Sequence, residues 1–332
     1  MINLDSISTR PKMNVTSSHL SRENHWDHFL ARVGYQRNQH RVEPGLYAIG
    51  NPTSSSPVFV SANYTLSFDA LRSNLVGVDG YILVLDTQGI NVWCAAGKKT
   101  FGTEEIVIRI AATRLAQVVS QRVLILPQLG APGVSAHQVK QRTGFKVEYG
   151  PVRAEDLPEY LRTHTATPAM RQVNFSLRDR FTLIPMDLIH LILPTLLVAL
   201  VFYFLLGGLI PALAVLAVTI SGTTLFPILL PWLPSHNFST KGFFLGFLTA
   251  LPFGFSVFFM HPTWTWYHQT GLALGYLLAM PAVIAFICLN FTGSSTFTSR
   301  TGVRREMFAC IPAMAWSFGA GLIMTIVFAF VR

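Results

Sequence analysis

Five long apolar stretches follow one another through the C-terminal part of this chain, near residues 187–206, 209–230, 242–260, 271–290 and 308–330. Each reaches or approaches the length an α-helix needs to cross a hydrocarbon core about 30 Å thick. Backbone surrounded by lipid must satisfy its own hydrogen bonds, so segments of this kind fold as helices. The whole chain is 12% charged, about half the usual globular share. That average joins two unlike parts, because most of the charge lies before residue 181.

The basic residues sort by loop. Arg178 and Arg180 precede the first stretch, Lys241 follows the second, and Arg300, Arg304 and Arg305 follow the fourth. His236 joins Lys241, whereas the connection from His261 to Thr270 holds no Lys or Arg. Gly207-Gly208 makes the first turn tight. The positive-inside rule then puts the N-terminal part in the cytoplasm and Arg332 outside, in a multi-pass protein of the inner (cytoplasmic) membrane. The stretches nearly lack ionisable groups; Asp187 and His190 sit at the first entrance. An ion path would need such groups within the membrane. The reading is an anchor in the lipid bilayer and a platform for a homodimer.

The opening MINLDSISTRPKMNVTSSHL has no apolar core and no cleavage site, so it is not a signal peptide. Residues 1–40 read as a polar, flexible lead-in and 166–186 as a linker. The net charge of +9 raises nucleic acid as a partner. No Lys/Arg block interleaves with aromatics, and basic flanks of membrane spans explain the excess, so nucleic acid is set aside. Three cysteines without a pairing pattern fit a reducing compartment.

Residues 41–165 alternate short apolar runs with helical patterns. Strands are expected at Pro57–Val60, Tyr81–Leu85, Val123–Leu126 and Phe145–Tyr149, with a helix from Leu66 to Leu75. Thr103 reads as an N-cap, with Glu104 and Glu105 at the positive end of a helix to about Gln121. Ser135 opens a further helix that Gly144 ends. This order predicts an α/β, Rossmann-like domain with a parallel sheet covered on both faces. The fold class is thus α/β with a cap helix, followed by an all-α transmembrane domain of five helices at 187–332. Ligands of such sheets bind beyond the carboxyl ends of the strands. Cys94 follows the Tyr81–Leu85 strand and falls at that edge.

Cys94 lies in Asn91-Val92-Trp93-Cys94-Ala95-Ala96-Gly97-Lys98. A lone thiol cannot build a zinc or iron–sulfur site, but it can serve as one axial ligand or as a nucleophile. An arbitrary lone cysteine is most often a small buried hydrophobe, as Cys288 and Cys310 read in their apolar runs. Here Asn91 can cap a helix start and Gly97 lets the chain turn out again. Trp93 offers a flat face, and Ala95 and Ala96 leave room beside the thiol. Other motifs fail on spacing. A P-loop needs Gly where Val92 stands and Ser or Thr where Lys99 stands. A nucleophile elbow also needs Gly at position 92. A Cys-x-x-Cys, a His-Glu-x-x-His and the Asp-x-His-x-x-Gly run of many cobalamin proteins are all absent from the sequence.

These residues resemble the signature of the membrane-bound corrinoid proteins that methylate mercury, the HgcA family. Flanking segments extend the likeness: Val42–Tyr47, Ser61–Asp69, Leu126–Val134 and Tyr149–Arg153. The resemblance is strong over residues 40–165, a region also related to the corrinoid domain of the corrinoid iron–sulfur protein's large subunit. It departs at Lys99, where that family usually has Gly.

The resemblance implies cobalamin or a related corrinoid on the cap helix, with Cys94 sulfur as the lower ligand of cobalt. A thiolate gives electron density to cobalt and suits transfer of a carbanion-like methyl to Hg(II), forming methylmercury. Cys94 is then the catalytic residue. Asn91, Val92, Trp93, Ala95, Ala96, Gly97 and Lys98 belong to the cofactor's cap. Asn63, Tyr64, Thr65 and Ser67 are placed at its edge, although Ser67 and Asp69 equally suit helix-start hydrogen bonds. Gly130 and Gly133 permit close backbone approach to a ligand or simply make a βα turn. Lys98 meets a negative substituent or is solvated, and His137 packs or pairs on its helix. The implied partners are a ferredoxin-like iron–sulfur electron donor and a methyl donor, through methyltetrahydrofolate or a corrinoid methyltransferase. Two alternatives stand beside this reading: a corrinoid methyl carrier of one-carbon metabolism with another acceptor, and a non-catalytic corrinoid-binding membrane protein.

Overall fold

The computed structural model describes residues 13–36, 39–206, 208–294 and 300–330. Gly207 of the tight turn, most of the loop before the fifth apolar stretch, and Arg332 lie outside the described residues. The chain divides into two compact units, Met1–Asn174 and Phe175–Arg332.

The first unit is built on strands β1 (Met13–Thr16), β2 (Gly45–Ile49), β3 (Val58–Ala62), β4 (Gly80–Leu85), β5 (Val123–Leu126) and β6 (Lys146–Tyr149). Its helices are α1 (Arg22–Val33), α2 (Thr65–Ser73), α3 (Val92–Lys98), α4 (Thr103–Ala112), α5 (Leu115–Val118), α6 (Ala136–Thr143) and α7 (Leu157–Thr163). The six strands are ordered β1-β2-β4-β3-β5-β6. β4, β3, β5 and β6 run parallel, joined by helical crossovers. β3 and β4 are buried along their whole length, as strands covered on both faces should be. Successive side chains part to opposite faces. Val58, Val60, Leu83 and Leu85 enter one core with Ile106 and Phe145. Phe59, Ile82 and Val84 enter the other with Phe68 and Leu157.

The sheet is not parallel throughout. β2 pairs antiparallel with β4, and β1 joins β2 in parallel at the edge. The run from Gly50 to Pro57 is too short for a helical crossover, so β2 takes the antiparallel place that needs none. β1 and α1 arise from residues 13–33, within the stretch read from sequence as a lead-in. A buried ion-pair network holds them. His28 Nε2 lies 2.7 Å from Asp69 Oδ2, and Arg72 Nε donates to Asp69 Oδ1 at 2.6 Å. The same guanidinium donates to the carbonyls of Ser17 and His19 and to Asn24 Oδ1.

Two helix boundaries also moved. Gly102, not Thr103, is the N-cap of α4, and the Thr103 hydroxyl accepts from the Ser135 amide at 2.8 Å. The helix stops at Ala112 because Arg114 turns left-handed at φ 50° before α5 begins. Glu104 receives hydrogen bonds from Arg142, which hold its carboxyl below the ordinary range. Gly144 ends α6 at φ 77°, as its type suggests.

The second unit contains α8 (Leu177–Leu205), α9 (Leu209–Ile220), α10 (Phe226–Leu229), α11 (Phe238–Met260), α12 (Trp266–Asn290) and α13 (Arg300–Phe330). A π-helical turn, Ser221–Leu225, joins α9 to α10 in one continuous span. Five helices are long and apolar enough to cross a membrane among the described residues. α8 begins at Leu177, so it absorbs half of the stretch read as a linker. Its Ser176 N-cap accepts from the Asp179 amide, and Asp179 bonds back to the Ser176 amide. Between helices, Thr195 meets Thr219 at 2.7 Å and Ser221 meets Thr249 at 3.0 Å. Gly242 lets α11 approach α12 closely, for a Cβ there would lie 2.6 Å from Ala285 Cα.

Candidate functional site

The site begins at the carboxyl end of β4. Asp86 to Ile90 fold into a tight loop in which Gln88 and Gly89 both take positive φ, 59° and 72°. The Ile90 amide donates to the Thr87 carbonyl at 3.1 Å, closing a turn of the type that requires such a pair. Asn63, at the end of β3, holds this loop. Its Oδ1 accepts from the amides of Thr87 and Gly89 at 3.0 and 2.9 Å and lies 2.9 Å from the Thr87 hydroxyl. Its Nδ2 donates to Asp86 Oδ1 at 3.3 Å. The side chain is buried, and its hydrogen-bonding capacity goes to the loop.

The loop launches α3. Asn91 is its N-cap, with Oδ1 accepting from the Cys94 amide at 2.9 Å. Seven residues suffice for this helix because one side is seated in the core. Val92, Ala95 and Ala96, spaced i, i+3 and i+4, are buried. Cys94, Gly97 and Lys98 repeat the same spacing on the outward side, with Cys94 half-buried and the other two exposed. Ala95 and Ala96 therefore do not flank the thiol as room for a ligand; they face the sheet. Gly97, one turn on from Cys94, adds no side chain to that outward side.

The far end of α3 is a left-handed cap at Lys99, φ 66° and ψ 10°. A side chain at such φ is unfavourable relative to glycine. The chain then turns back through Phe101, whose amide reaches the Ala95 carbonyl at 3.2 Å.

Gly130 and Gly133 lie in the 3-10 segment after β5, Gln128–Gly133. A Cβ on Gly130 would fall 2.5 Å from the Phe101 ring. On Gly133 it would fall 2.2 Å from the Phe101 carbonyl oxygen and 2.9 Å from Ala96 Cα. Both glycines thus let this segment press against α3 and its return loop.

A cleft of about 300 Å³ opens between α2, α3 and the carboxyl ends of β3 and β5. Ser67 and Leu71 of α2 line it together with Asn91, Val92, Trp93 and Val152. Cys94 is not in its wall. Tyr64 is the N-cap residue of α2, and its carbonyl accepts from the Ser67 and Phe68 amides. Thr65 is the first residue of α2, with its hydroxyl buried and without a hydrogen-bond partner among the described residues. Asp69 belongs to the buried network with His28 and Arg72. His137 Nδ1 lies 3.0 Å from the Ser135 hydroxyl on its own helix. Tyr149 donates to the Val134 carbonyl at 2.8 Å, and burial raises its phenol above the usual value.

The structure thus separates the sequence candidates into an outward thiol face, a cleft wall and a supporting frame. The frame was the part missed: Thr87, Asp86 and the loop-holding role of Asn63 have no motif, because they act through backbone groups. Among the described residues no three His, Cys, Asp or Glu side chains gather to hold a metal ion.

Part of the α/β unit is similar to known proteins. Residues 35–161 match a family described as the CO dehydrogenase/acetyl-CoA synthase delta subunit. The gamma subunit of the acetyl-CoA decarbonylase/synthase complex from Methanopyrus kandleri is 35% identical over 127 residues, 38% of this chain and 27% of that protein. Its counterpart from Archaeoglobus fulgidus is 34% identical over 114 residues, covering 34% and 24%. The corrinoid/iron-sulfur protein large subunit of Moorella thermoacetica is 27% identical over 150 residues, covering 42% and 33%. The chain spans a quarter to a third of the length of these relatives. The family match ends before the apolar helices.

Proposed function

We propose that the N-terminal unit binds a corrinoid with Cys94 sulfur as the lower axial ligand of cobalt, and that the chain methylates Hg(II). One observation carries this reading: α3 presents Cys94 and Gly97 on one outward face while Val92, Ala95 and Ala96 fix the other in the core. A flat macrocycle approaching a thiol needs a neighbour without a side chain, and Gly97 is that neighbour. A corrinoid brings its own equatorial nitrogens, so one protein ligand is enough, in keeping with a thiol that stands alone. When bound, the group supplies a transferable methyl.

The remaining work falls to the protein. Asn91 pins the Cys94 amide and so sets the first turn of α3. Asn63 holds the loop that fixes where α3 starts. Lys98 puts a cation on the thiol's face, and Trp93 turns its ring to the neighbouring cleft. The likeness to a corrinoid/iron-sulfur protein supports the cofactor. The chain's three cysteines are not spaced for a cluster, so a separate ferredoxin-like iron–sulfur protein serves as electron donor.

A second reading is favoured by the relatives' names, which place them in acetyl-CoA decarbonylase/synthase complexes: a methyl carrier with another acceptor. Anaerobic cells expressing the chain with a ferredoxin partner should turn Hg(II) into methylmercury, and cells with the partner alone should not. No methylmercury from either overturns the mercury reading. Methyl transfer by the purified protein to a different acceptor would then favour the carrier.

The five apolar helices, on this proposal, cross the cytoplasmic membrane with the corrinoid unit inside. The support is that Arg178, Arg180, Lys241, Arg304 and Arg305 all fall at the end where α8 begins. A reporter fused after Arg332 should read as external; a cytoplasmic signal would overturn the orientation.

A further inference from the structure

The same end of the helical unit carries two cations that the methyl-transfer reading leaves unused. Arg180 is 6% exposed, yet it pairs with no carboxylate among the described residues. Its partners are backbone oxygens: Nη1 donates to Ile228 at 2.7 Å and to Pro227 at 3.0 Å, and Nε to Ser176 at 3.4 Å. Nη2 has no protein partner among the described residues. Lys241, at the start of α11, donates to the Leu230 carbonyl at 2.6 Å. Both side chains line one cavity of about 430 Å³, which His236 and Ser235 also border. The rest of its wall is apolar: Phe175, Leu230, Pro231 and Phe238.

Carbonyl dipoles orient a buried guanidinium but leave its charge uncancelled, and a buried charge is costly without a counter-ion. A second cation in the same cavity raises that cost. Among the described residues no acidic side chain lines the cavity, which leaves room for a negative charge from a bound group. A guanidinium fork with free N–H groups beside an ammonium suits a phosphate oxyanion. The cavity lies where α8 begins, α10 ends and α11 begins, at one end of helices long enough to cross a bilayer. Phospholipid phosphates sit at that depth, and basic pockets between membrane helices are suited to them. We propose that this cavity binds the phosphate of an acidic phospholipid, with Arg180 and Lys241 as its ligands and Phe175, Leu230 and Phe238 against the start of the lipid's apolar part. The proposal uses no residue of the corrinoid unit.

The test uses the full chain, stripped of lipid in detergent. Phosphatidylglycerol, phosphatidylcholine and inorganic phosphate are added separately, and bound lipid is counted by native mass spectrometry beside the thermal unfolding midpoint. Phosphatidylglycerol should stay bound and raise the midpoint, phosphatidylcholine much less. Lys241→Gln and Arg180→Gln should each weaken phosphatidylglycerol binding about tenfold, the worth of one charge-assisted hydrogen bond. If Arg180→Gln does not fold, Lys241→Gln decides, since its side chain ties down a single carbonyl. Equal retention of both lipids, or phosphatidylglycerol binding unchanged in Lys241→Gln, overturns the proposal. Stabilisation by inorganic phosphate alone, lost in Lys241→Gln, would overturn the lipid as occupant and leave a free phosphate in its place.

Discussion

Cys94 of the α/β unit and Cys288 of the helical unit sit in opposite settings. In the helical unit Cys288 is fully buried, and a Cβ on Gly242 would lie 2.9 Å from its own Cβ. Close approach of α11 and α12 leaves that sulfur no room for anything but packing. In the α/β unit Cys94 sits half-buried on the outward side of α3, while three neighbours on the same helix are seated in the core. On the proposed reading, a thiol's neighbourhood, more than its own side chain, separates a packing residue from a ligand. Where the helix is anchored by its other face, the sulfur is free to meet a group from outside.

The largest expected effect breaks this comparison directly. Cys94→Ala should abolish the cobalt–sulfur absorption signature of the corrinoid-loaded protein. It should lower methyl transfer by more than about 100-fold, the upper end of what outer-shell partners of a metal cost. Cys288→Ala should leave the signature intact and remove about 1–2 kcal/mol of stability through the small cavity it opens. If the two variants lost the signature alike, the distinction between outward and packed thiols would fail.

Ala95→Leu tests the next step, that α3 has an inward face. Ala95 is fully buried in the core beneath the helix. Added volume there should cost about 1–3 kcal/mol by overpacking, even though leucine is a good helix former. The loss should appear in unfolding of the protein without corrinoid. Unchanged stability of that form with impaired corrinoid binding would put Ala95 on the ligand's side after all.

The contrast between Ala95 and Cys94 also marks what could be read from the sequence. The parallel strands were legible because β3 and β4 are continuously apolar, and the five long apolar helices because length and composition decide them. The start of the cap helix was legible from Asn91; Gly97, read as the turn out, lies inside α3, and the left-handed turn falls one residue past the helix end, at Lys99. Which way each cap residue faces was not legible, since small residues fit both a core and a ligand pocket. The edge of the sheet was missed for a related reason. β1 is short and half exposed, and its place depends on Arg72 reaching the carbonyls of Ser17 and His19, a contact between residues more than fifty positions apart. Asn63 looked like a cofactor contact because an amide suits either task; only the loop geometry assigns it to Thr87 and Gly89. In the helical unit the sequence revealed apolar helices, and Arg180 read as a topological flank, because its burial depends on contacts with Pro227 and Ile228.

The smallest effect concerns the other end of α3. Lys99 is exposed and holds φ 66°, where a residue with a Cβ is strained relative to glycine by about 1 kcal/mol. Lys99→Gly relieves that strain but also loosens the unfolded chain, which offsets part of the gain. The net should be about 0.5 kcal/mol of added stability, visible as a raised unfolding midpoint of the α/β unit within the full chain. Lys99→Ala is the control, because it removes the charge and keeps the Cβ. It should show no gain. Equal stabilisation by Gly and Ala would trace the effect to charge at the mouth of the site, and the left-handed cap would then carry no strain for α3 to release.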